Sequence, residues 1–202
     1  RSFDINPFSY AMNTSRTLSP NDTYKRNYAS FNIFNELENN YIDLGVSDMK
    51  FQGEVSWKPI QGLELKAMGA YRVQKSAQEH FIKNNSNQAE AYRAGVDDPN
   101  VMYSNPYLYQ DPDKTNSLPI SVMPIGGIYT RNDYDVEQLD FRGTAQYNKV
   151  WNDTHILNVF AGMEANKTDK KQVFNSVYGR DYSSANNDYI TPEFYKQAKE
   201  EG

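Results

Sequence analysis

The chain has 202 residues, a net charge of −5 and no cysteine. Its acidic and basic residues are interspersed without a basic stripe, which argues against nucleic acid as a partner. The absence of cysteine excludes a disulfide framework and a thiolate metal site. Aromatic residues make up 14% of the chain, with 16 Tyr and 10 Phe, and this content favours a β-rich protein over a disordered acidic chain.

Hydropathy gives no transmembrane helix, because no run of about 18 apolar residues exists. A transmembrane β-strand needs only about 10 residues with alternate ones apolar, so this pattern does not exclude a membrane. The chain begins at Arg1 with neither an initiating Met nor an apolar signal segment. We therefore expect it to be a piece of a longer protein.

The first predicted element covers residues 28–42, where Phe31, Ile33 and Leu37 alternate loosely with polar residues. This alternation favours a strand over a short helix. Residues 43–48 are expected to form a turn or a short loop.

Residues 50–74 predict the first β-hairpin. Successive side chains of a strand point to opposite faces. The apolar face of the outgoing strand consists of Phe51, Gly53, Val55 and Trp57, and the residues between them are polar. The returning strand repeats the alternation from Leu63 to Gln74. The turn Pro59-Ile60-Gln61-Gly62 suits a tight connection, because Pro lacks an amide donor and Gly admits positive φ.

Residues 76–132 predict a long excursion between two hairpins. Ser76 and Glu79 have the spacing of a capping box, which predicts a helix over residues 77–83. A second helix is expected over residues 88–94, ending at Gly95. Five residues followed by Pro come next, and Gly126-Gly127 closes the segment. Irregular loops of this length are usually functional or disordered.

Residues 134–167 predict the second hairpin, with the clearest alternation between Leu139 and Asn166. Phe141 and Tyr147 share one face with Leu139, and the turn is Asn152-Asp153-Thr154. Near the end of the chain, Thr191 followed by Pro192 predicts the start of a helix.

The sequence predicts no catalytic residue and no metal-binding residue. His80 and His155 are the only histidines, and no spaced carboxylate completes a metal site or a catalytic triad around either. We therefore expect no cofactor and no enzymatic activity. Asp111, Asp113 and Thr115 resemble the opening of a calcium loop, but later positions exclude an EF-hand, and only a looser calcium site stays open.

The candidate substrate-binding residues are tyrosines of the long loop: Tyr103, Tyr107 and Tyr109. Exposed rings there would stack on sugars or pack on a partner protein. The alternative is that these rings hold the loop down by burial. Trp57 and Trp151 stand at the turn ends of their strands, which fits either a membrane interfacial belt or the core of a soluble sheet.

Several blocks of the sequence together resemble SusC/RagA-type TonB-dependent transporters, outer-membrane proteins of Bacteroidetes. They are NPFSYAMNTSRTL (6–18), NYASFNIFNELENN (27–40), DMKFQGEVSWKPIQGLELKAMGAY (48–71), MPIGGIYTRNDYDVEQLDFRGTAQYNK (123–149) and NDTHILNVFAGMEAN (152–166). The blocks occur in the same order as in the family and are distributed from residue 6 to residue 166.

The resemblance implies an all-β fold. Residues 1–202 would be a segment of an antiparallel transmembrane β-barrel of about 22 strands with a plugged lumen and long extracellular loops containing short helices. It implies import of a nutrient, a glycan, oligosaccharide or peptide, across the bacterial outer membrane.

The resemblance also implies partners: the remainder of the same barrel, the lipid bilayer, a SusD-like surface lipoprotein acting as a lid, and the TonB complex acting through the plug. The family's plug, TonB-contacting segment and signal peptide have no counterpart here. The chain would supply about five strands, fewer than the eight of the smallest membrane barrels.

The alternative is a soluble β-rich carbohydrate-binding or interaction module, such as a sandwich. It predicts that the apolar strand faces pack on each other.

Overall fold

The computed structural model describes residues 12, 19, 21–95, 98–114, 116–152, 155–183 and 188–201. These residues are mostly β-strand in antiparallel sheets, which confirms the predicted β-rich, antiparallel fold. The strands are β1 (Tyr24–Arg26), β2 (Ala29–Phe31), β3 (Asn40–Ile60), β4 (Leu63–Ile82), β5 (Leu108–Tyr109), β6 (Ile120–Ser121), β7 (Gly127–Trp151) and β8 (His155–Arg180). The helices are α1 (Ile33–Asn39), α2 (Asn87–Ala91), α3 (Pro99–Ser104) and α4 (Pro192–Glu201).

The four long strands form one sheet in the order β3-β4-β7-β8, and the short strands pair as β1-β2 and β5-β6. Side-chain contacts fix the antiparallel register of β3 and β4. Arg72 forms an ion pair with Asp48, and the Ser56 hydroxyl donates to Glu64 at 3.1 Å. Within the described residues β3 and β8 are the sheet's edges, and the sheet does not close into a barrel.

Both predicted hairpins are present, but their strands are longer than the alternation indicated. The β3–β4 turn contains only Gln61 and Gly62, because Pro59 and Ile60 still belong to β3. Pro59 is the second-last residue of β3, beside the turn, and turn positions tolerate Pro. Asn152 follows β7 with a φ of +50°, and residues 153–154 lie outside the described part of the chain.

The strand predicted over residues 28–42 is wrong for residues 33–39, which form α1, whereas residues 29–31 and 40–42 belong to β2 and β3. The Asn32 side chain caps this helix by accepting hydrogen bonds from the amides of Phe34 at 3.0 Å and Asn35 at 3.2 Å. Capping of this kind satisfies amides that have no partner within the helix. The loose alternation of apolar residues is a weaker signal than this cap.

The loop predicted over residues 43–48 and the helix predicted over residues 77–83 are also wrong, because β3 and β4 run through these segments. Glu79 does not serve a capping box. Its carboxylate accepts a hydrogen bond from the Tyr129 hydroxyl and pairs with Arg131, both on β7. Contacts between neighbouring strands therefore override the local helix signal.

The excursion between the hairpins is shorter and more regular than predicted, since only residues 83–126 separate β4 from β7. The helix predicted over residues 88–94 is present as α2, and Gly95 follows it with a φ of +90°. The helix start at Thr191-Pro192 is confirmed. The Thr191 hydroxyl accepts a hydrogen bond from the amide of Phe194 at 3.3 Å.

The chain divides into two compact units. The first unit comprises Arg1–Asp43, Glu79–Arg131 and Asn175–Gly202. It contains a buried cluster of Ile82, Ala89, Met123 and Ile128, against which Tyr92 and Tyr178 pack. The second unit comprises Leu44–Gln78 and Asn132–Phe174. Ala70 is the one buried hydrophobic residue among its described residues.

No helix in the described ranges is both long and apolar enough to cross a membrane.

Candidate functional site

The first unit contains a cleft of about 490 Å³, a volume in the usual range of small-molecule sites. It is lined by Asn39, Lys83, Asn84, Asn85, Ile125, Gly126, Asp181, Tyr182, Ser183 and Tyr189. None of these residues belongs to a strand. They come from the end of α1, the turn after β4, the segment before β7 and the segment after β8.

Arg93, which follows α2, holds two sides of the cleft together. Its guanidinium donates to the side-chain oxygen of Asn84 at 3.0 Å and to the carbonyl oxygen of Gly126 at 2.9 Å. The amide of Gly126 also donates to the Asn84 side chain, at 3.1 Å. Because a guanidinium presents several donors in a fixed plane, Arg93 fixes the spacing of these two segments.

Gly126 is required at this position by its backbone. Its φ is +85°, and a Cβ atom would lie 2.5 Å from the carbonyl carbon of Gly179. Only glycine adopts this conformation without strain and allows so close an approach of two backbone segments. The edge of the cleft therefore depends on this residue.

Two tyrosines form the aromatic part of the cleft. Tyr182 donates its hydroxyl to the carbonyl oxygen of Ile128 at 2.8 Å, and its ring lies 6.2 Å from that of Phe81. Burial raises the pKa of Tyr182, so its phenol stays neutral at ordinary pH. Tyr189 is anchored through its backbone amide to Gly179 at 2.8 Å, and its side chain is 44% exposed.

The cleft contains one cationic and one anionic side chain. The Lys83 ammonium donates to the carbonyl oxygen of Glu38 at 3.2 Å and lies 5.2 Å from the centre of the Tyr41 ring. The Asp181 carboxylate accepts from the amide of Ser183 at 2.8 Å and from its hydroxyl at 2.7 Å. The two formal charges cancel, so the cleft offers no net charge to a ligand.

A second cavity of about 340 Å³ in the same unit is lined by Thr23, Ser30, Asn32, Asn35, Asn85 and Glu90. Nearby, Glu36 is almost fully buried, and one of its carboxylate oxygens accepts from the amide of Asn87 at 2.6 Å. The other oxygen has no partner within the described part of the chain. The Asn87 side chain donates to the carbonyl oxygens of Arg26 and Ser30 and thereby ties β1 and β2 to α2.

The three predicted substrate-binding tyrosines lie outside the large cleft. Tyr109 is buried, and its hydroxyl donates to the Glu200 carboxylate at 3.0 Å; burial, together with this contact, raises the pKa of Tyr109 to about 12. The ring of Tyr107 packs 5.0 Å from that of Tyr92. Tyr103 is 67% exposed and is the only one of the three that projects into solvent. Tyr109 and Tyr107 thus match the burial alternative.

Four residues of the segment after β8 line the cleft but were not predicted from the sequence: Asp181, Tyr182, Ser183 and Tyr189. The available signal is compositional, since residues 181–189 consist of Asp, Tyr, Ser, Asn and one Ala. Such a segment is rich in hydrogen-bonding side chains and aromatic rings, which binding sites use. Residues 184–187 within it lie outside the described part of the chain.

The acidic residues of the possible calcium loop have a different partner. Asp111 and Asp113 each form an ion pair with Lys196 on α4, at 2.5 Å and 2.8 Å, and Lys196 holds the pKa of Asp111 below its ordinary value. Thr115 lies outside the described residues. Across the described ranges, no group of three or more His, Asp or Glu side chains is arranged to hold a metal ion.

No family model matches the chain, and no curated protein matches it either. The resemblance to TonB-dependent transporters therefore depends on the sequence blocks quoted above.

Proposed function

We propose that this chain forms part of the wall and the extracellular loops of an outer-membrane barrel of the SusC/RagA type, which imports a glycan, an oligosaccharide or a peptide. The observation that carries the proposal is the set of four adjacent, very long strands with large apolar side chains exposed to solvent.

Strand length is the first argument. The strands β3, β4, β7 and β8 contain 21, 20, 25 and 26 residues. Strands of soluble globular proteins usually contain about 3–10 residues. A tilted strand crosses the hydrocarbon core of a bilayer with about 9–11 residues, so each of these strands is long enough to cross it and extend beyond.

The exposed apolar face is the second argument. In β3 the side chains of Phe51, Val55 and Trp57 are 62%, 70% and 63% exposed. A large apolar surface open to water is unfavourable, whereas lipid covers it at no such penalty. The sandwich alternative expects these faces to pack on each other, and the observed exposure does not match that expectation.

Polar contacts on the opposite face are the third argument. The ion pair of Asp48 with Arg72 and that of Arg142 with Glu164, at 3.0 Å, both join neighbouring strands through even-numbered residues. Phe51, Phe141 and Met163 are odd-numbered and alternate with them. The interior of an outer-membrane barrel is polar and its exterior apolar, which is the alternation of residues 48–57 of β3 and 139–147 of β7. The strand β8 departs from it, because Ile156, Phe160 and Phe174 are even-numbered and exposed.

The edges of the sheet indicate the nearest partner. An unpaired strand edge in lipid leaves amide and carbonyl groups without hydrogen bonds, at several kcal/mol each. In the proposal, β3 and β8 pair with further strands of the same barrel. The SusD-like lipoprotein and the TonB complex, acting through the plug, are the further partners, and the wall itself carries out no covalent chemistry.

Cell fractionation tests the proposal. Native cells are lysed, the membranes are washed with carbonate and then extracted with detergent, and the chain is followed with an antibody. A porin and a soluble periplasmic protein of the same cells serve as markers. We expect the chain to remain with the porin until detergent is added. If it is recovered with the periplasmic marker after lysis alone, the transporter proposal is wrong.

A further inference from the structure

We propose that the 490 Å³ cleft of the first unit is a binding site for a neutral saccharide. This inference rests on the proposed import function, for which it names the substrate class. Its binding residues differ from the tyrosines predicted from the sequence.

The charges of the cleft argue for an uncharged ligand. Lys83 and Asp181 bring one charge of each sign, and the other lining side chains are neutral. A phosphate or carboxylate ligand would be drawn to Lys83 but repelled by Asp181, and a cationic ligand would experience the reverse. Neutral hydroxyl groups interact favourably with both, because a hydroxyl donates to a carboxylate and accepts from an ammonium.

Hydrogen-bonding capacity remains at the cleft for such hydroxyls. The Lys83 ammonium has three donor positions, of which one is directed at Glu38. The side-chain oxygen of Asn85 accepts from Asn84 at 3.0 Å, and in the described part of the chain its amide nitrogen has no acceptor. A ligand with many hydroxyls can use these donors.

The aromatic rings complete the recognition surface. A sugar ring has an apolar face of C–H groups, and the flat, apolar body of a tyrosine is suited to it while the phenol stays in a polar environment. Tyr182 is held in place by its bond to Ile128, and the ring of Tyr189 is half-exposed. Because Arg93 also fixes the spacing of Asn84 and Gly126, this side of the cleft does not have to be ordered on binding.

The position of the lining residues favours a saccharide over a peptide. Extended peptides are commonly bound by adding a strand to an exposed sheet edge. None of the cleft residues belongs to a strand, so the cleft offers no backbone edge of this kind. Ile125 is its one aliphatic side chain, so it also lacks the apolar pockets that select peptide side chains.

The test uses the protein as purified from its native cells, with any strands that pair with β3 and β8, in a detergent without a sugar headgroup, and measures binding by isothermal titration calorimetry. The probes are maltose, cellobiose and xylobiose, with tetraalanine as the peptide. We expect at least one disaccharide to bind, Tyr189→Ala and Asn85→Ala each to weaken that binding about tenfold or more, and tetraalanine not to bind. Tyr195→Ala is the matched control, since Tyr195 is an exposed tyrosine of the same unit, on α4, and it should leave binding unchanged.

Three results would overturn the inference: no disaccharide binds, tetraalanine binds in a Tyr189-dependent manner, or all three variants weaken binding equally. Circular dichroism of each variant shows whether it is folded like the parent chain. Fractionation tests the transporter proposal separately. A chain that fractionates with the outer membrane but binds no disaccharide refutes only the saccharide site, whereas a soluble chain that binds one through Tyr189 refutes only the transport role.

Discussion

Glu36 shows at the scale of a single residue how burial couples an acid to local structure. The side chain is 1% exposed. Burial raises its pKa above the ordinary value of 4.5, and hydrogen bonds from Asn87, Asn40 and Asn35 and the charge of Arg26 reduce this effect. On α2, Glu90 is a second carboxylate close enough to interact with it. The folded state therefore holds a proton on Glu36 more tightly than the unfolded chain does.

The sign of the pH dependence follows from that shift. The stabilisation from the protonated carboxyl is fully present below pH 4.5 and is lost as the pH rises through the raised pKa of the folded state. We expect the amides of β1, β2 and α2 to become less protected against hydrogen exchange over that interval, after correction for the intrinsic rate. In Glu36→Gln, whose amide cannot titrate, the loss of protection should disappear. A pH dependence equal to that of the parent chain would assign the effect to another group.

The role of a side chain could be predicted where it depends only on residues nearby in the sequence, as in a helix cap. Thr191 was identified as a helix cap because the cap and the helix are adjacent in sequence. The role of Asn32 as a cap was available from the same rule but was outweighed by the alternation around it. The contact of Tyr109 with Glu200 joins residues far apart in sequence, so no local pattern could reveal it.

The β3–β4 hairpin shows at the scale of an element why its turn requires glycine. Gly62 has a φ of +91°, and a Cβ atom there would lie 2.2 Å from the carbonyl oxygen of Asn148. Its own carbonyl accepts a hydrogen bond from the amide of Asn148 at 2.8 Å. The residue therefore forms the turn and also joins β4 to β7.

We expect Gly62→Ala to lower the free energy of unfolding by roughly 1–3 kcal/mol, the range for backbone strain of this kind. Chemical denaturation in detergent measures it. Gly53→Ala is the control, because a Cβ at Gly53 meets nothing within 4 Å. Alanine there should be neutral or slightly stabilising, by about 0.4–1 kcal/mol at most. Equal losses in the two variants would show that the turn conformation is not the cause.

The long strands could be predicted as elements because alternation of period 2 is a strong signal where one face is apolar. The residues at which these strands begin and end could not be predicted. Residues 43–48 and 77–82 are polar or irregular in pattern, and they belong to strands because a neighbouring strand supplies their backbone hydrogen bonds. Tertiary pairing of this kind is invisible to a single segment of sequence.

At the scale of the whole molecule, the proposal assigns opposite solvents to the two faces of the sheet. Phe51 and Gln52 are neighbours in β3 and are both exposed. If Phe51 meets lipid near the middle of a bilayer, Phe51→Arg should lower the free energy of unfolding by about 2–4 kcal/mol. Denaturation of the protein in lipid vesicles measures this loss.

Gln52→Arg is the matched control, because it introduces the same charge one residue away on the polar face. We expect this variant to be nearly as stable as the parent chain. If both arginines are tolerated, lipid does not cover the Phe51 face. If both are equally destabilising, the faces are not assigned correctly.

At the scale of the whole molecule, the β class could be predicted from the sequence and the cleft could not. The β class follows from composition and alternation, whereas the cleft is formed by residues 39, 83–85, 125–126, 181–183 and 189. These segments meet only because β3, β4, β7 and β8 bring their ends together, and the register that does so depends on contacts across strands. Sequence patterns therefore predicted the strands and not the site that they position.

The unequal lengths of the connections also have a consequence for folding kinetics. Two residues join β3 to β4 and residues 152–154 join β7 to β8, but residues 83–126 separate β4 from β7. The entropy lost on closing a loop grows with its length. The strands of each hairpin can therefore pair outward from their short turn, whereas β4 and β7 pair only after residues distant in sequence come into contact. Shortening the 83–126 connection would therefore accelerate assembly of the central ladder.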